Sequence, residues 1–173
     1  MTVLPIIVAP DPRLKVNATP VERVDDEVRQ LMDDMLDSMH AANGIGLAAP
    51  QVGIAKRVLV MDVARPEEPP QPIRMANPEV VWESEEEVLA EEGCLSLPDQ
   101  YAEVVRPERV RVRYLDHENE IRELEADGLL AKCVQHEMDH LDGVLFVDHL
   151  SSLKRKIILR KLTKTKRLAA AEA

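Results

Sequence analysis

Residues 136 to 140 read His-Glu-Met-Asp-His. On an α-helix the i, i+4 spacing places both imidazoles on one face, where two nitrogens can converge on one ion. Glu137 then reaches a water held beside that ion, where a carboxylate serves as general base and afterwards as proton donor. The five letters recur by chance, and the competing reading is a pair of surface or core histidines. Two ligands do not hold a catalytic ion, so the third decides what such a chain can be.

A third His two turns on would make a metzincin protease, HExxHxxGxxH. Gly143 fits that pattern, but the required position is Phe146, which ligates nothing. The only glutamate after His140 is Glu172, in the last residues. Asp148 and His149 are weak candidates. Cysteine is the better ligand, and geometry separates the two available. Cys133 precedes His140 by seven residues, so its Cα lies about 10 Å along the axis, and one straight helix hardly brings both to one ion. It reads as a small apolar residue of the same helix face. Cys94 lies in EEGCLSLP, a short extended segment able to approach an ion closely. The expected set is Cys94, His136 and His140, with water in the fourth position.

The remaining chain frames this centre. Its 173 residues suit one catalytic domain, 1–173, whose end (151–173) is a basic helix and tail. Val24, Val28, Leu31, Met32, Met35, Leu36 and Met39 form an amphipathic stripe behind the acids Asp25 to Glu27, and Asn43-Gly44 stops it. KRVLVMDV (56–63) reads as a buried strand, and a proline-containing loop follows it. Strand-like segments recur around Val80, Val88, Val104 and Val110, and with VRVRYL and IREL they predict an antiparallel meander. Asp127-Gly128 opens the helix carrying both histidines, Gly143 closes it, and a third helix starts near Ser151. The fold class is α+β, antiparallel sheets packed around the HExxH helix.

Net charge is −10, unevenly spread. Residues 151–173 hold eight basic side chains and one acid, against 14 basic and 31 acidic before them. That pattern is either a solvated helix face or a contact for an anionic partner. Four aromatics offer few platforms for single-stranded nucleic acid, and the acidic body argues against DNA. No apolar run approaches the ~20 residues a bilayer requires. The N-terminus makes a poor signal peptide, so the expected compartment is the cytoplasm, with thiols reduced.

GIGLAAPQVG (44–53) superficially offers GxGxxA, but a helix precedes it and a strand follows, the reverse of a dinucleotide fingerprint. Its small residues suit a backbone edge that pairs with an extended ligand, with Gln51 aimed at an oxyanion. The alternative is a glycine-rich turn.

With GIGLAAPQVG, EGCLSLP and QHEMDH in this order, the chain resembles the peptide deformylase family over roughly residues 5 to 168. Its C-terminal helix is similar to that of the bacterial subclass ending in a helix. The resemblance implies hydrolysis of the N-formyl group from the initiator methionine of nascent polypeptides, releasing formate. It implies Fe²⁺ as the ion, replaceable by Ni²⁺ or Co²⁺, with Zn²⁺ giving a poorer enzyme. Cys94, His136 and His140 match the metal ligands and Glu137 the acid/base. Gln51 and the Leu95 backbone N–H match the oxyanion donors. Gly46 and Gly93 match the backbone that holds the peptide as a strand. Ile45, Leu129, Cys133 and His136 match the methionine pocket, and Glu92 with Arg106 an ion pair steadying the Cys94 segment. Tyr101 stands where some relatives carry arginine, and Lys132 where an aliphatic residue is common. By the same resemblance the basic tail is a ribosome-docking helix near the exit tunnel. Two other readings stay open: an HExxH zinc endopeptidase, and a non-catalytic, metal-stabilised ribosome-binding module.

Overall fold

The computed structural model describes residues 2–172. The stripe of valine, leucine and methionine forms α1, Asp26–Ala41, capped by the Asp25 carboxylate, which accepts from the Val28 N–H at 3.0 Å. Met32, Met35 and Met39 are fully buried. Each such side chain stabilises the fold by about 1.5–3 kcal/mol. Past Ala41 the chain reverses at Asn43, in the left-handed region at φ 57°.

Seven strands follow: β1 (Gly46–Ala48), β2 (Val58–Met61), β3 (Ile73–Glu83), β4 (Glu87–Cys94), β5 (Leu97–Pro107), β6 (Val110–Leu115) and β7 (Ile121–Ala126). All pair antiparallel, but they do not form the expected meander. A five-stranded sheet runs β1-β2-β3-β6-β7, and β4-β5 stand apart as a hairpin. The cause lies at Ser84 and Arg109. Ser84 N–H donates to Arg109 O and Arg109 N–H to Ser84 Oγ, closing the base of the hairpin, so that β6 returns to pair with β3.

Helix α2, Gly128–Leu141, carries HEMDH and packs on β1 and β2. Its buried Val134 and Leu141 join Leu59, Met61, Met75 and Val112 from the sheet. A 3-10 turn, Phe146–His149, leads into α3, Ser152–Glu172. Helix α3 buries Ile158 and Leu162 beside Phe146 and Leu14 and leaves its basic residues exposed except Arg155, which is half-buried against Asp148. No helix among the described residues is long and apolar enough to cross a membrane.

This topology positions the centre. β1 is the edge of the large sheet and β4 the edge of the hairpin. Between them opens a cleft of about 430 Å³, walled by Gly44 to Gly46 on one side and Glu92 to Leu95 on the other, with Cys133, His136 and Glu137 of α2 beneath.

Candidate metal centre

Two segments far apart in sequence supply the donor atoms. His136 and His140 sit one turn apart on α2, with ring centroids 5.0 Å apart, and Cys94 ends β4. One ligand atom from each of the three lies within 4.8 Å of the others, and Cys94 Sγ is 3.4 Å from His140 Nε2. A thiolate with two imidazoles suits a borderline divalent transition ion and not Mg²⁺ or Ca²⁺, which take oxygen. The residues therefore fit a metal of that class. Asp148 and His149 stay outside. Asp148 is held by Lys15, and His149 by Asp139 at 2.8 Å.

Behind the ligands lies a buried ion pair. Glu92 receives a forked pair of bonds from Arg106, Nε at 2.5 Å and Nη2 at 2.9 Å, and accepts from His136 Nδ1 at 3.0 Å. Burial opposes the Glu92 charge, yet Arg106 and His136 outweigh it and hold the carboxyl at about 2. With Nδ1 committed to Glu92, Nε2 is the ring nitrogen of His136 left for an ion. Burial likewise opposes a charged His136, and the bonds to Cys94 and Glu92 raise its pKa well above the usual value. His140 goes the other way: burial, then the charge of His136, pushes its pKa well down. A neutral imidazole is the form that ligates.

Glu137 is buried beside them, Oε1 3.9 Å from His136 Nε2, and Oε2 is without a partner among the described residues. Burial raises its pKa to about 7. A carboxyl balanced near neutrality can both take and return a proton. Gln51 is buried and pinned by its oxygen, which accepts from Ala48 N–H at 2.9 Å. Its amide nitrogen donates to Ser96 Oγ at 3.0 Å and lies 3.5 Å from Cys94 Sγ.

Ile45, Gly46, Gly93, Leu95, Cys133 and His136 all line the cleft, as do Tyr101 and Lys132. Cys133 is no part of the donor set; its thiol faces Ile45 O at 3.6 Å, and burial pushes its pKa well up. Leu129 occupies the first turn of α2, one turn before Cys133, and is 46% exposed. Sequence reasoning missed Ser96, which orients Gln51, and Asp139, which accepts from Arg106 Nη1 at 2.9 Å. Ser96 was findable as the one polar side chain in CLSLP; nothing local marks Asp139.

A family model described as Polypeptide deformylase matches residues 3–156. A peptide deformylase from Methylocella silvestris is 56% identical, the match covering 99% of this chain and 89% of the relative. One from Phenylobacterium zucineum is also 56% identical, over 95% of this chain and 97% of the relative. Among solved structures, the Ehrlichia chaffeensis peptide deformylase superposes with a TM-score of 0.93 at 42% identity, covering 98% of this chain and 99% of the other. The Ehrlichia enzyme in complex with actinonin gives 0.92 at 44% identity, over 96% and 99%.

Proposed function

The chain belongs to the peptide deformylase family and is an enzyme of the deformylase type, and from that premise we propose how its residues divide the work. Cys94, His136 and His140 hold one divalent ion, Fe²⁺ by family resemblance, replaceable by Ni²⁺ or Co²⁺ and less well by Zn²⁺. When bound, the ion supplies Lewis-acid polarisation of the formyl carbonyl and of the attacking water. Glu137 takes a proton from that water and delivers it to the methionine nitrogen as the formyl C–N bond breaks. The water oxygen leaves in formate. Gln51 and the Leu95 N–H donate to the oxygen on which charge develops, a role worth about 3 kcal/mol of barrier.

The substrate is the N-formylmethionyl end of a nascent chain, lying as a strand between β1 and β4 beside Gly46 and Gly93. Ile45, Leu129, Cys133 and His136 face the methionine side chain. Residues 1–173 act as one catalytic domain in the cytoplasm. The basic face of α3 docks on ribosomal RNA near the exit tunnel.

The observation that carries this reading is the pairing of a Cys/His/His donor set with a buried Glu137 carboxylate, whose Oε2 has no partner among the described residues, at the floor of a strand-edged cleft. The test is formate release from a formyl-Met tripeptide by oxygen-free, Fe²⁺-loaded protein, with products weighed by mass spectrometry. Formate plus an otherwise intact peptide is expected. Cleavage of an internal amide without formate makes it an endopeptidase. No turnover with any metal leaves a binding module.

A further inference from the structure

Arg106 divides its guanidinium between two carboxylates. Nε and Nη2 hold Glu92, and Nη1 donates to Asp139 Oδ2 at 2.9 Å. The same Asp139 oxygen accepts from His149 Nε2 at 2.8 Å. At the other end Glu92 Oε1 accepts from His136 Nδ1. An unbroken line of hydrogen bonds thus runs from the surface to a metal-binding imidazole. It draws on α2, both strands of the hairpin, and the turn before α3.

We propose that His149 is a positioning residue for His136, acting through Asp139, Arg106 and Glu92; this rests on His136 being a metal ligand. The argument follows from where the line is weakest. Arg106 and Glu92 are almost wholly buried and have two points of attachment each. Asp139 is one-quarter exposed, so water competes for its carboxylate, and a single bond from Arg106 would leave it free to swing. His149 supplies the second anchor on the solvent side. With Asp139 fixed, the guanidinium is held along two edges and cannot tilt about Glu92. Glu92 Oε1 then stays where His136 Nδ1 needs it, which sets the ring orientation and the direction of Nε2. The role requires only an N–H donor at Nε2, which either the neutral tautomer or the cation provides.

Co²⁺-loaded protein, prepared without oxygen, tests this. Two quantities are measured: the rate of Co²⁺ loss to a chelator, and the visible absorption bands that report coordination geometry. Loss of a direct partner of a metal-binding histidine costs roughly 10–100-fold in affinity, and for a residue four hydrogen bonds from the ring a smaller effect, about three- to tenfold, is expected. His149→Ala should speed Co²⁺ release by that factor and shift the bands. His149→Gln, whose amide nitrogen can occupy the Nε2 position, should restore both, and His117→Ala should change neither. An alanine variant matching wild type in both readouts overturns the proposal. So does a glutamine variant no better than alanine. If wild type takes up no Co²⁺ in a Cys94-dependent way, the ligand assignment itself falls, and a Cys94→Ala control shows this before any His149 variant is compared.

Discussion

The Glu137 carboxylate fills the space where a side chain on Gly46 would stand. A Cβ built on Gly46 would lie 2.7 Å from Glu137 Oε1 and 2.8 Å from Cys133 Sγ. The glycine is therefore fixed by what α2 presents beneath it and not by its own backbone, which needs no positive φ. Edge strand β1 and the acid/base of α2 are in contact only because that position is bare.

Gly46→Ala should accordingly displace Glu137 while leaving the Cys94, His136 and His140 set intact. A misplacement of about 1 Å costs on the order of 100-fold in rate. The expected outcome is kcat lowered 10- to 100-fold with metal content unchanged. Turnover of formyl-Met peptide and metal analysis on the same preparation would check it, and an unimpaired kcat would contradict it.

Glu137 also gives the metal-free protein a pH signature. Its carboxyl is raised from 4.5 to about 7, so between those values the native state binds the proton and the unfolded state has released it. The resulting stability is fully present below about pH 4.5 and is lost as pH rises through about 7. The separation corresponds to about 3 kcal/mol. Urea unfolding of metal-free wild type and Glu137→Gln across pH 4 to 8 should show wild type losing that amount relative to the variant. Parallel curves would mean that burial does not perturb this group.

Removing Glu92 should be costly twice. Arg106 is left buried with only Asp139 as a partner, which destabilises by about 3–5 kcal/mol. His136 loses the acceptor that fixes its ring, at roughly 10- to 100-fold in metal affinity. Glu92→Ala should lower the unfolding midpoint and weaken Co²⁺ binding together, as read by thermal melts and chelator competition. A variant that melts early but binds Co²⁺ normally would separate the ion pair from the metal site.

The basic residues of α3 can be reversed without touching the core, because the helix packs through Ile158 and Leu162. Lys154, Lys156 and Lys161 are all exposed. Changing the three to Glu should abolish salt-sensitive ribosome binding in co-sedimentation while tripeptide hydrolysis stays at the wild-type rate. Unchanged ribosome affinity would remove α3 as the docking element.

Much of this was legible in the chain itself. The i, i+4 histidines, the methionine stripe of α1 and the alternation of VRVRYL are local periodicities, and each fixes an element and its inward face by backbone geometry alone. Spacing also separated Cys94 from Cys133, since one straight helix cannot bend a residue seven positions away onto the same ion. Which strand pairs with which was a different matter: the meander reading failed because Ser84 and Arg109 close the hairpin through bonds 25 residues apart. The convergence of Asp139 and His149 on the Glu92–Arg106 pair leaves no mark in sequence, because hydrogen bonds between distant segments depend on where the hairpin docks. Local periodicity determined what the chain could bind with. The packing of the hairpin against α2 decided how those groups are oriented.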